Sequence, residues 1–305
     1  MSHNQTEYLI EGAVWMDGKV LPIAEAKIPI LDWGFLRSDA TYDVVHVMNH
    51  KFFRVDDHIA RFFAGMERLH MDIGMTPAEV KQAMRDCVKV SGLKDAYVEV
   101  ICTRGQPAPG SRDPRTCRNK FWAFAIPFVW ILDPAKKGLS VFISERQRIP
   151  EISHDPTIKN YQWLDLEQGL FEAYDRNADS VLLVDYNGNL CEGPGFNVFV
   201  ITDNTLMTPR RGVLQGITRR TVLELAAQQG LVVSETDISP ATAAAADEVF
   251  VTSTAGGIMP VIELDERPVG RGATRGEPGE VTQVLMQRYW DLHDDSRYGE
   301  AVFPA

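Results

Sequence analysis

The chain has 305 residues, which is enough for about two domains at roughly 150 residues each. Its composition, 45% hydrophobic and 24% charged, is that of a globular protein with a large core and excludes a disordered or fibrous chain. The formal net charge of −11 disfavours binding to nucleic acid or to an anionic membrane surface, because such partners repel an acidic protein.

The sequence offers no clear segment for entering or crossing a membrane. Its most apolar run, residues 121–132, contains Pro127 and is shorter than the roughly 20 residues that a spanning helix needs. The polar first residues lack the apolar core of a signal peptide, so we expect none. The four cysteines form no Cys-x-x-Cys pair, which in a chain of this length favours reduced thiols and a cytoplasmic location.

In the first part of the chain, predicted strands alternate with predicted helices. Period-two patterns predict strands, apolar residues at helical spacing predict helices, and Thr76 and Glu79 form a capping box that opens one helix. The predicted elements are, in order, a hairpin over 13–20, strands at 41–48 and 52–53, a helix over 56–71, a helix from 76, and strands at 97–103 and 121–131.

A polar segment with both breaker residues, 133–138, predicts a linker between domains. We therefore expect a smaller N-terminal α/β domain over 1–132 and a larger, strand-rich domain over 139–305. The elements predicted for the second domain are strands at 139–144, 181–186, 196–201, 232–235 and 248–253, with helices at 161–176, 218–229 and 280–295.

The sequence lacks the motifs of several common kinds of enzyme chemistry. There is no phosphate loop, no dinucleotide-binding glycine turn and no G-x-S-x-G nucleophile elbow. The seven histidines include no H-E-x-x-H pair, and none pairs with a cysteine at zinc-ligand spacing. Hydride transfer and zinc hydrolysis are therefore disfavoured, and we expect no metal site.

Lys159 is the last of the ten lysines and has an unusual setting. It follows the break at Pro156 and precedes an aromatic stretch that contains Trp163. Apolar neighbours disfavour the charged form of an amine, which lowers its pKa and makes it a nucleophile. The alternative interpretation is an ordinary surface lysine.

Three other stretches carry candidate binding groups. Glu192 stands at a strand end among glycines, where it is either solvated or placed to keep the nitrogen of a pyridine ring protonated. Residues 214–219 open a helix, so their N–H groups form an anion site or Thr218 is simply the N-cap. Residues 252–257 form a second turn rich in hydroxyls and glycine. Together with a buried lysine, this set suits pyridoxal 5′-phosphate (PLP).

The order and spacing of these stretches resemble the class IV aminotransferases, the fold-type IV PLP enzymes, over about residues 13–290. The most specific stretches are 158–160, 191–197, 212–219 and 254–258. The resemblance implies an α+β, two-domain fold of the branched-chain and D-amino-acid aminotransferase type, and PLP as cofactor. The family also includes (R)-selective amine transaminases and aminodeoxychorismate lyases.

The resemblance also implies the roles of individual residues. Lys159 carries the cofactor as a Schiff base and moves the substrate proton, while Glu192 pairs with the pyridine nitrogen. The other implied cofactor contacts are Arg61 on the phosphate, Ile217 and Thr218 through backbone N–H groups, Thr254 through its hydroxyl, and Trp163 near the cofactor.

Residues 34–44 resemble the (R)-selective amine transaminases, which usually carry histidine where this chain has Arg37. A guanidinium there is able to bind a substrate carboxylate bidentately, or to pair with Asp39 or Asp43. Glu99 stands where branched-chain enzymes tend to have an arginine, and its charge would repel a substrate α-carboxylate. The implied substrate residues are Arg37, Tyr42, Val44, Tyr97, Glu99, Arg112 and Ala255, with Arg37 or Arg112 as the ligand of the keto-acid carboxylate.

We therefore predict a transaminase that moves an amino group from an (R)-configured primary amine to a keto acid such as pyruvate, in ping-pong half-reactions. The alternatives are a D-amino-acid or branched-chain aminotransferase, an aminodeoxychorismate lyase-like enzyme, or a non-catalytic vitamin-binding protein. As in fold-type IV relatives, we expect a homodimer or a higher homo-oligomer.

Overall fold

The computed structural model describes residues 11–303, and for Ala273 the backbone alone. Its contacts divide the chain into two compact units, one ending at Phe128 and resuming at Gly299, the other spanning Val129–Tyr298. The division falls slightly before the linker expected at 133–138, which lies inside the second unit. The last residues, expected in the C-terminal domain, belong to the first unit.

The first unit is a seven-stranded antiparallel sheet with two long helices. Its elements are β1 (Ala13–Met16), β2 (Lys19–Pro22), α1 (Trp33–Arg37), β3 (Ala40–Met48), β4 (Lys51–Phe53), α2 (Val55–Arg68), α3 (Pro77–Ser91), β5 (Ala96–Gln106), β6 (Arg118–Pro127) and, from the end of the chain, β16 (Gly299–Ala301). The strands lie in the order β16-β4-β3-β5-β6-β1-β2.

The core of this unit lies between one face of the sheet and the helices α2 and α3. Alternate residues of the central strands, such as Val45 and Val98, are buried against Phe62 of α2 and Met84 of α3. The predicted capping box is confirmed, because Thr76 N–H donates to Glu79 and Glu79 N–H donates back to Thr76 Oγ1. The opposite sheet face carries four of the candidate substrate residues.

The second unit is a nine-stranded mixed sheet. Its elements are β7 (Leu139–Gln147), α4 (Leu164–Tyr174), β8 (Ser180–Val184), β9 (Glu192–Gly193), β10 (Phe196–Thr202), β11 (Thr205–Pro209), α5 (Ile217–Gln228), β12 (Val232–Thr236), α6 (Pro240–Ala244), β13 (Glu248–Ser253), β14 (Gly257–Leu264), β15 (Arg267–Pro268) and α7 (Glu280–Asp291). The main path is β12-β11-β10-β13-β14-β7-β8, with β9 on β10 and β15 on β14. Its core contains Val198, Val251 and Met259.

Some predicted boundaries are wrong for reasons visible in the structure. The strand expected to reach residue 131 ends at Pro127, and proline lacks the N–H that continues a ladder. Helix α4 begins at Leu164 rather than near residue 161. The C-terminal strand β16 was not predicted; it pairs with β4, and Val302 next to it is fully buried and donates to the carbonyl of His50.

All four cysteines are free thiols, and three of them are buried. No helix within residues 11–303 is long and apolar enough to cross a bilayer. In the same residues, no cluster of three metal-binding side chains is found.

Candidate active site

Glu192 is a buried carboxylate with fixed partners, not a solvated one. It is 7% exposed. Its Oε1 accepts a hydrogen bond from Arg148 Nη2 at 3.0 Å, and its Oε2 accepts one from the Leu214 N–H at 2.9 Å. The next residue must be glycine, because a Cβ on Gly193 would stand 2.3 Å from the Val181 carbonyl oxygen. The short strand β9 therefore holds the carboxylate in one orientation.

Groups around Glu192 partly offset the effect of burial on the pKa of its carboxyl. Burial raises the pKa of the Glu192 carboxyl, and the Arg148 guanidinium, the Leu214 N–H and the Lys159 ammonium lower it in part. Lys159 is thus within electrostatic range of Glu192, although the two are far apart in sequence.

The segment that carries Lys159 is held by Asn160. The Asn160 side chain donates to the Ile158 carbonyl at 2.7 Å and accepts from the Gln162 N–H at 2.8 Å, and its own carbonyl accepts from Trp163 Nε1. Lys159 itself is half-buried. These bonds fix the backbone on both sides of the lysine. Trp163 is the N-cap residue of α4 rather than an interior residue of a helix.

Helix α5 begins without a side-chain cap. Its N-cap is Gly216, which provides no side-chain cap, so the interpretation of Thr218 as the N-cap is wrong. The first N–H groups of a helix have no partner inside the helix, and those of Ile217 and Thr218 are therefore directed out of its N-terminus. A Cβ on Gly216 would stand 2.3 Å from Asn197 Oδ1, and Asn197 Nδ2 donates to the Leu214 carbonyl.

The turn after β13 brings hydroxyl groups beside this region. Thr252 pairs with Asn197 across β10 and β13, and its buried hydroxyl has no hydrogen-bond partner within the described residues. Ser253 Oγ accepts from the Ala255 N–H at 3.1 Å, which shapes the turn around Thr254. Gly257 has φ +69°, and a Cβ there would stand 2.8 Å from the Tyr289 ring.

These features of the second unit fit PLP. The cofactor needs an amine for its aldehyde, an anion for its ring nitrogen and N–H or O–H donors for its phosphate. These groups are available in Lys159, Glu192, the N-terminus of α5 and the turn over residues 252–257. The Thr252 hydroxyl has no hydrogen-bond partner within the described residues, and α5 has no side-chain cap. Buried polar groups without partners indicate a site for a bound molecule.

Four predicted substrate residues share one face of the sheet in the first unit. Val44 lies opposite Glu99 in the β3–β5 register, and Tyr42 and Tyr97 stand two residues from them on the same face. Tyr97 donates its hydroxyl to Glu99 Oε2 at 3.2 Å, and Glu99 is 8% exposed. Burial and the Glu99 charge raise the pKa of the Tyr97 phenol, so it remains a donor.

Arg37 forms neither of the two ion pairs considered from the sequence. Its guanidinium carbon lies 3.4 Å from the centre of the Trp33 ring. Asp39 is bound by Arg104 at 2.9 and 3.0 Å, and Asp43 is bound by Arg61. Among the residues described, Arg37 therefore has an aromatic partner and no carboxylate partner.

In the arginine loop between β5 and β6, the two candidate arginines differ. Arg115 forms a bidentate pair with Asp113. Arg112 is exposed and has no ion-pair partner within residues 11–303. This difference favours Arg112 over Arg115 as a ligand for an incoming carboxylate.

Arg61, the predicted phosphate ligand, is held by a buried carboxylate of β3. Its Nε donates to Asp43 Oδ2 at 2.7 Å and its Nη2 to Oδ1 at 2.9 Å, while His58 Nδ1 lies 2.7 Å from Oδ1. Burial alone would raise the pKa of the Asp43 carboxyl, but the Arg61 charge and the charge and hydrogen bond of His58 outweigh it and hold that pKa well below its usual range.

Replacing Asp43 with asparagine is expected to lower the free energy of unfolding by about 3 kcal/mol at neutral pH, because Arg61 loses its buried partner. Because the pKa of Asp43 is lower in the folded state, its ionised carboxylate stabilises the fold at pH values above 3.8, the ordinary pKa of this carboxyl. This stabilisation is lost progressively as the pH falls below 3.8 towards the folded-state pKa. Urea unfolding measured between pH 7 and pH 3 should therefore show a smaller difference in the free energy of unfolding between the wild-type protein and Asp43→Asn at the lower pH. Asp56→Asn, which removes an exposed partner of Lys81, is the control. Equal losses in both variants would contradict the prediction.

Two contributors to the site were missed from the sequence, Arg148 and Asn197. Arg148 is 44 residues from Glu192, and Asn197 supports a turn 17 residues further on. The only local signal was Asn197 itself, a polar residue in an otherwise apolar strand. Side chains that support a site through long-range contacts leave no spacing pattern in the sequence.

Comparison with known proteins identifies the family. The family model for amino-transferase class IV matches residues 40–264, and the chain belongs to this family. A putative branched-chain-amino-acid aminotransferase of Methanocaldococcus jannaschii is 29% identical over 95% of this chain and 99% of its own. A D-alanine aminotransferase of Bacillus licheniformis is 26% identical over 90% of this chain and 94% of its own.

A solved structure agrees with these relatives. The branched-chain amino acid aminotransferase of Thermobaculum terrenum, in its PLP-bound holo form, has a TM-score of 0.85 and 25% identity over 97% of this chain and 99% of that one. The fold is thus the expected two-domain α+β fold of fold-type IV enzymes. The protein is a PLP-dependent aminotransferase of class IV.

Proposed function

We propose that this aminotransferase takes its amino group from an (R)-configured primary amine and gives it to a keto acid such as pyruvate. The observation that carries the proposal is Glu99, a buried carboxylate on the sheet face that also holds Tyr42 and Val44. A negative charge on this face opposes a carboxylate on the amine donor. The resemblance of residues 34–44 to the (R)-selective amine transaminases supports the same substrate.

Lys159 and Glu192 are proposed to act at the reacting atoms. PLP supplies an electron-withdrawing ring that stabilises negative charge on the amino-bearing carbon. Lys159 Nζ, in its neutral form, would take up the proton of that carbon and release it again later in the half-reaction. Glu192 keeps the ring nitrogen protonated, because an adjacent anion favours the charged form. The Arg148 and Leu214 hydrogen bonds hold that carboxylate in place.

The phosphate is proposed to be bound by the N–H groups of Ile217 and Thr218, with Thr254 and Arg61 as side-chain donors. The open N-terminus of α5 supports this role, since anions bind where helix N–H groups lack partners. Arg61 is a candidate because a guanidinium donates to phosphate oxygens in a planar, bidentate arrangement. Trp163 is proposed to lie near the cofactor.

The keto acid is proposed to be bound through Arg37 or Arg112. Both are exposed and lack a carboxylate partner among the described residues. Tyr42, Val44, Tyr97 and Ala255 are proposed as pocket walls. An exposed guanidinium suits a site that accepts an uncharged substituent in one half-reaction and a carboxylate in the other.

A D-amino-acid or branched-chain amino-acid donor is the second candidate. The relatives named above carry such names. Under this alternative, Arg37 binds the carboxylate of both substrates and Glu99 does not face the donor. A lyase is a third candidate, for which pyruvate would be released without an amino acceptor.

Half-reaction spectra separate these candidates. The holoenzyme is mixed with (R)-1-phenylethylamine, its (S)-enantiomer, D-alanine or L-leucine, and the loss of the cofactor's visible band is followed. We expect bleaching with the (R)-amine and return of the band with pyruvate. Bleaching with D-alanine or L-leucine alone would replace the proposal with the second candidate.

Replacing Arg37 with alanine is expected to slow the keto-acid half-reaction about tenfold or more, and to leave the (R)-amine half-reaction within about twofold. The reason is that only the keto acid brings a carboxylate. The two half-reactions are measured separately by stopped-flow absorbance. Arg115→Ala, in an arginine already paired with Asp113, is the control. Equal losses in both half-reactions would remove the role assigned to Arg37.

The protein is further proposed to be a homodimer, as the family resemblance implies. The segment before β3 exposes several large apolar side chains, including Ile30, Leu31 and Phe35. Clustered exposed apolar residues are typical of an interface. Light scattering should give at least twice the chain mass of 34.2 kDa, and a strict monomer would contradict the proposal.

A further inference from the structure

Arg148 lies between two carboxylates in the second unit. It follows β7 directly, donates through Nη1 to Asp165 Oδ2 at 2.5 Å and through Nη2 to Glu192 Oε1 at 3.0 Å. All three are close to nine-tenths buried when the side-chain atoms alone are counted, with exposed side-chain fractions of 12% for Arg148, 12% for Asp165 and 10% for Glu192. Water therefore screens these charges weakly, and each affects the next strongly.

Asp165 is itself fixed at the start of α4. Its Oδ1 accepts from the Leu166 N–H at 2.9 Å, and its Oδ2 accepts from the Ile149 N–H at 3.2 Å as well as from Arg148. Asp165 therefore holds both the guanidinium of Arg148 and the backbone immediately after it. The position of Arg148, and through it that of Glu192, depends on this carboxylate.

Asp165, Arg148 and Glu192 form a row of three charges in which one negative charge is uncompensated. Asp165 and Glu192 are anions and Arg148 is a cation, so the three sum to −1. Without Asp165 the same row would be neutral, and the guanidinium would act on Glu192 alone. A protonated ring nitrogen is attracted to the row in the first case and much less in the second.

We propose that Asp165 is a positioning residue that acts through Arg148 to set how strongly Glu192 holds a protonated ring nitrogen of the cofactor. The inference rests on the role proposed above for Glu192. Asp165 does not touch the cofactor. It restrains Arg148, so that Glu192 keeps its orientation and most of its negative charge for the ring.

The test compares two ligands of the apoenzyme, PLP and its analogue in which CH replaces the ring nitrogen. Asp165→Asn keeps the shape of the side chain and an oxygen acceptor but removes its charge. We expect Asp165→Asn to raise the Kd of PLP about tenfold, the equivalent of one pKa unit, and to leave the Kd of the analogue within about twofold. Both constants are measured by fluorescence titration, without reference to turnover.

Two further variants complete the design. Glu172→Gln is the matched control, since Glu172 also lies on α4 and binds an arginine of β7, Arg146, at 2.6 Å. It should change neither Kd. Arg148→Lys keeps the charge but disrupts the two-carboxylate bridge by another route, because an ammonium lacks the two separate nitrogens that the guanidinium directs at Asp165 and Glu192. It should reproduce the pattern of Asp165→Asn even if that variant folds poorly.

Each contrary outcome has a distinct meaning. If Asp165→Asn and Arg148→Lys weaken PLP and the analogue equally, Asp165 is only a structural residue and the inference is overturned. If the wild-type protein binds PLP and the analogue equally well, Glu192 does not pair with the ring nitrogen. That result removes the proposed role of Glu192, and the inference with it.

Discussion

Replacing Lys159 with alanine is expected to abolish multiple turnover, with a loss of at least about 10⁴-fold, the upper end of the range for a general acid–base group. The variant lacks the amine that binds the cofactor aldehyde and moves the substrate proton. PLP should still bind, because the N–H groups of α5 and the hydroxyl turn remain. Steady-state rates with an (R)-amine and pyruvate give the measurement.

The control for this prediction is Lys137→Ala. Lys137 forms an exposed pair with Glu277 and should be replaceable without loss of activity. Added methylamine should partly restore the proton transfer in Lys159→Ala by supplying a free amine. A Lys159→Ala enzyme that transaminates at the wild-type rate would show that another group is the base.

Replacing Glu192 with glutamine is expected to lower kcat about a hundredfold, because removing an adjacent opposite charge shifts a pKa by about 1–3 units, here that of the ring nitrogen. The glutamine keeps the size of the side chain but leaves the buried Arg148 guanidinium with one carboxylate partner. The measurement is kcat together with the visible spectrum of the bound cofactor as a function of pH.

Glu192→Asp and Glu151→Gln serve as controls for that prediction. The aspartate retains the charge and should recover part of the rate, whereas Glu151 is exposed and its replacement should have little effect. If glutamine at position 192 supported the full rate with an unchanged spectrum, the carboxylate would have no part in holding the ring proton.

Local patterns predicted much of the fold. The Asp17-Gly18 turn, the Thr76 capping box and the β-branched strand ending at Met48 all occur where the sequence placed them. Each depends on residues close together in the chain. Strand β14 was missed, because Pro260 and the paired glycines at its start are poor strand signals. In the structure its pairing with β7 begins only at Val261, so Pro260 needs no N–H on that side.

Only part of the candidate site was predictable. The residues in local motifs could be found from the sequence, whereas those that act through long-range contacts could not. Lys159, Glu192 and the two turns carry recognisable local motifs. Their supports do not, because Arg148 reaches Glu192, and Asp165 reaches Arg148, only after the sheet and α4 have formed. The N-cap of α5 was misassigned for a related reason, since Asn197 of β10 lies too close to Gly216 to leave room for a capping side chain there.

The attachment point of the cofactor is the central claim, and it can be located directly. The holoenzyme is reduced with borohydride, which makes the bond between the cofactor and its lysine permanent, and is then digested and mapped by mass spectrometry. We predict a single pyridoxyl-modified peptide with the label on Lys159. A label on any other lysine, or no label in a protein that carries PLP, would contradict the account.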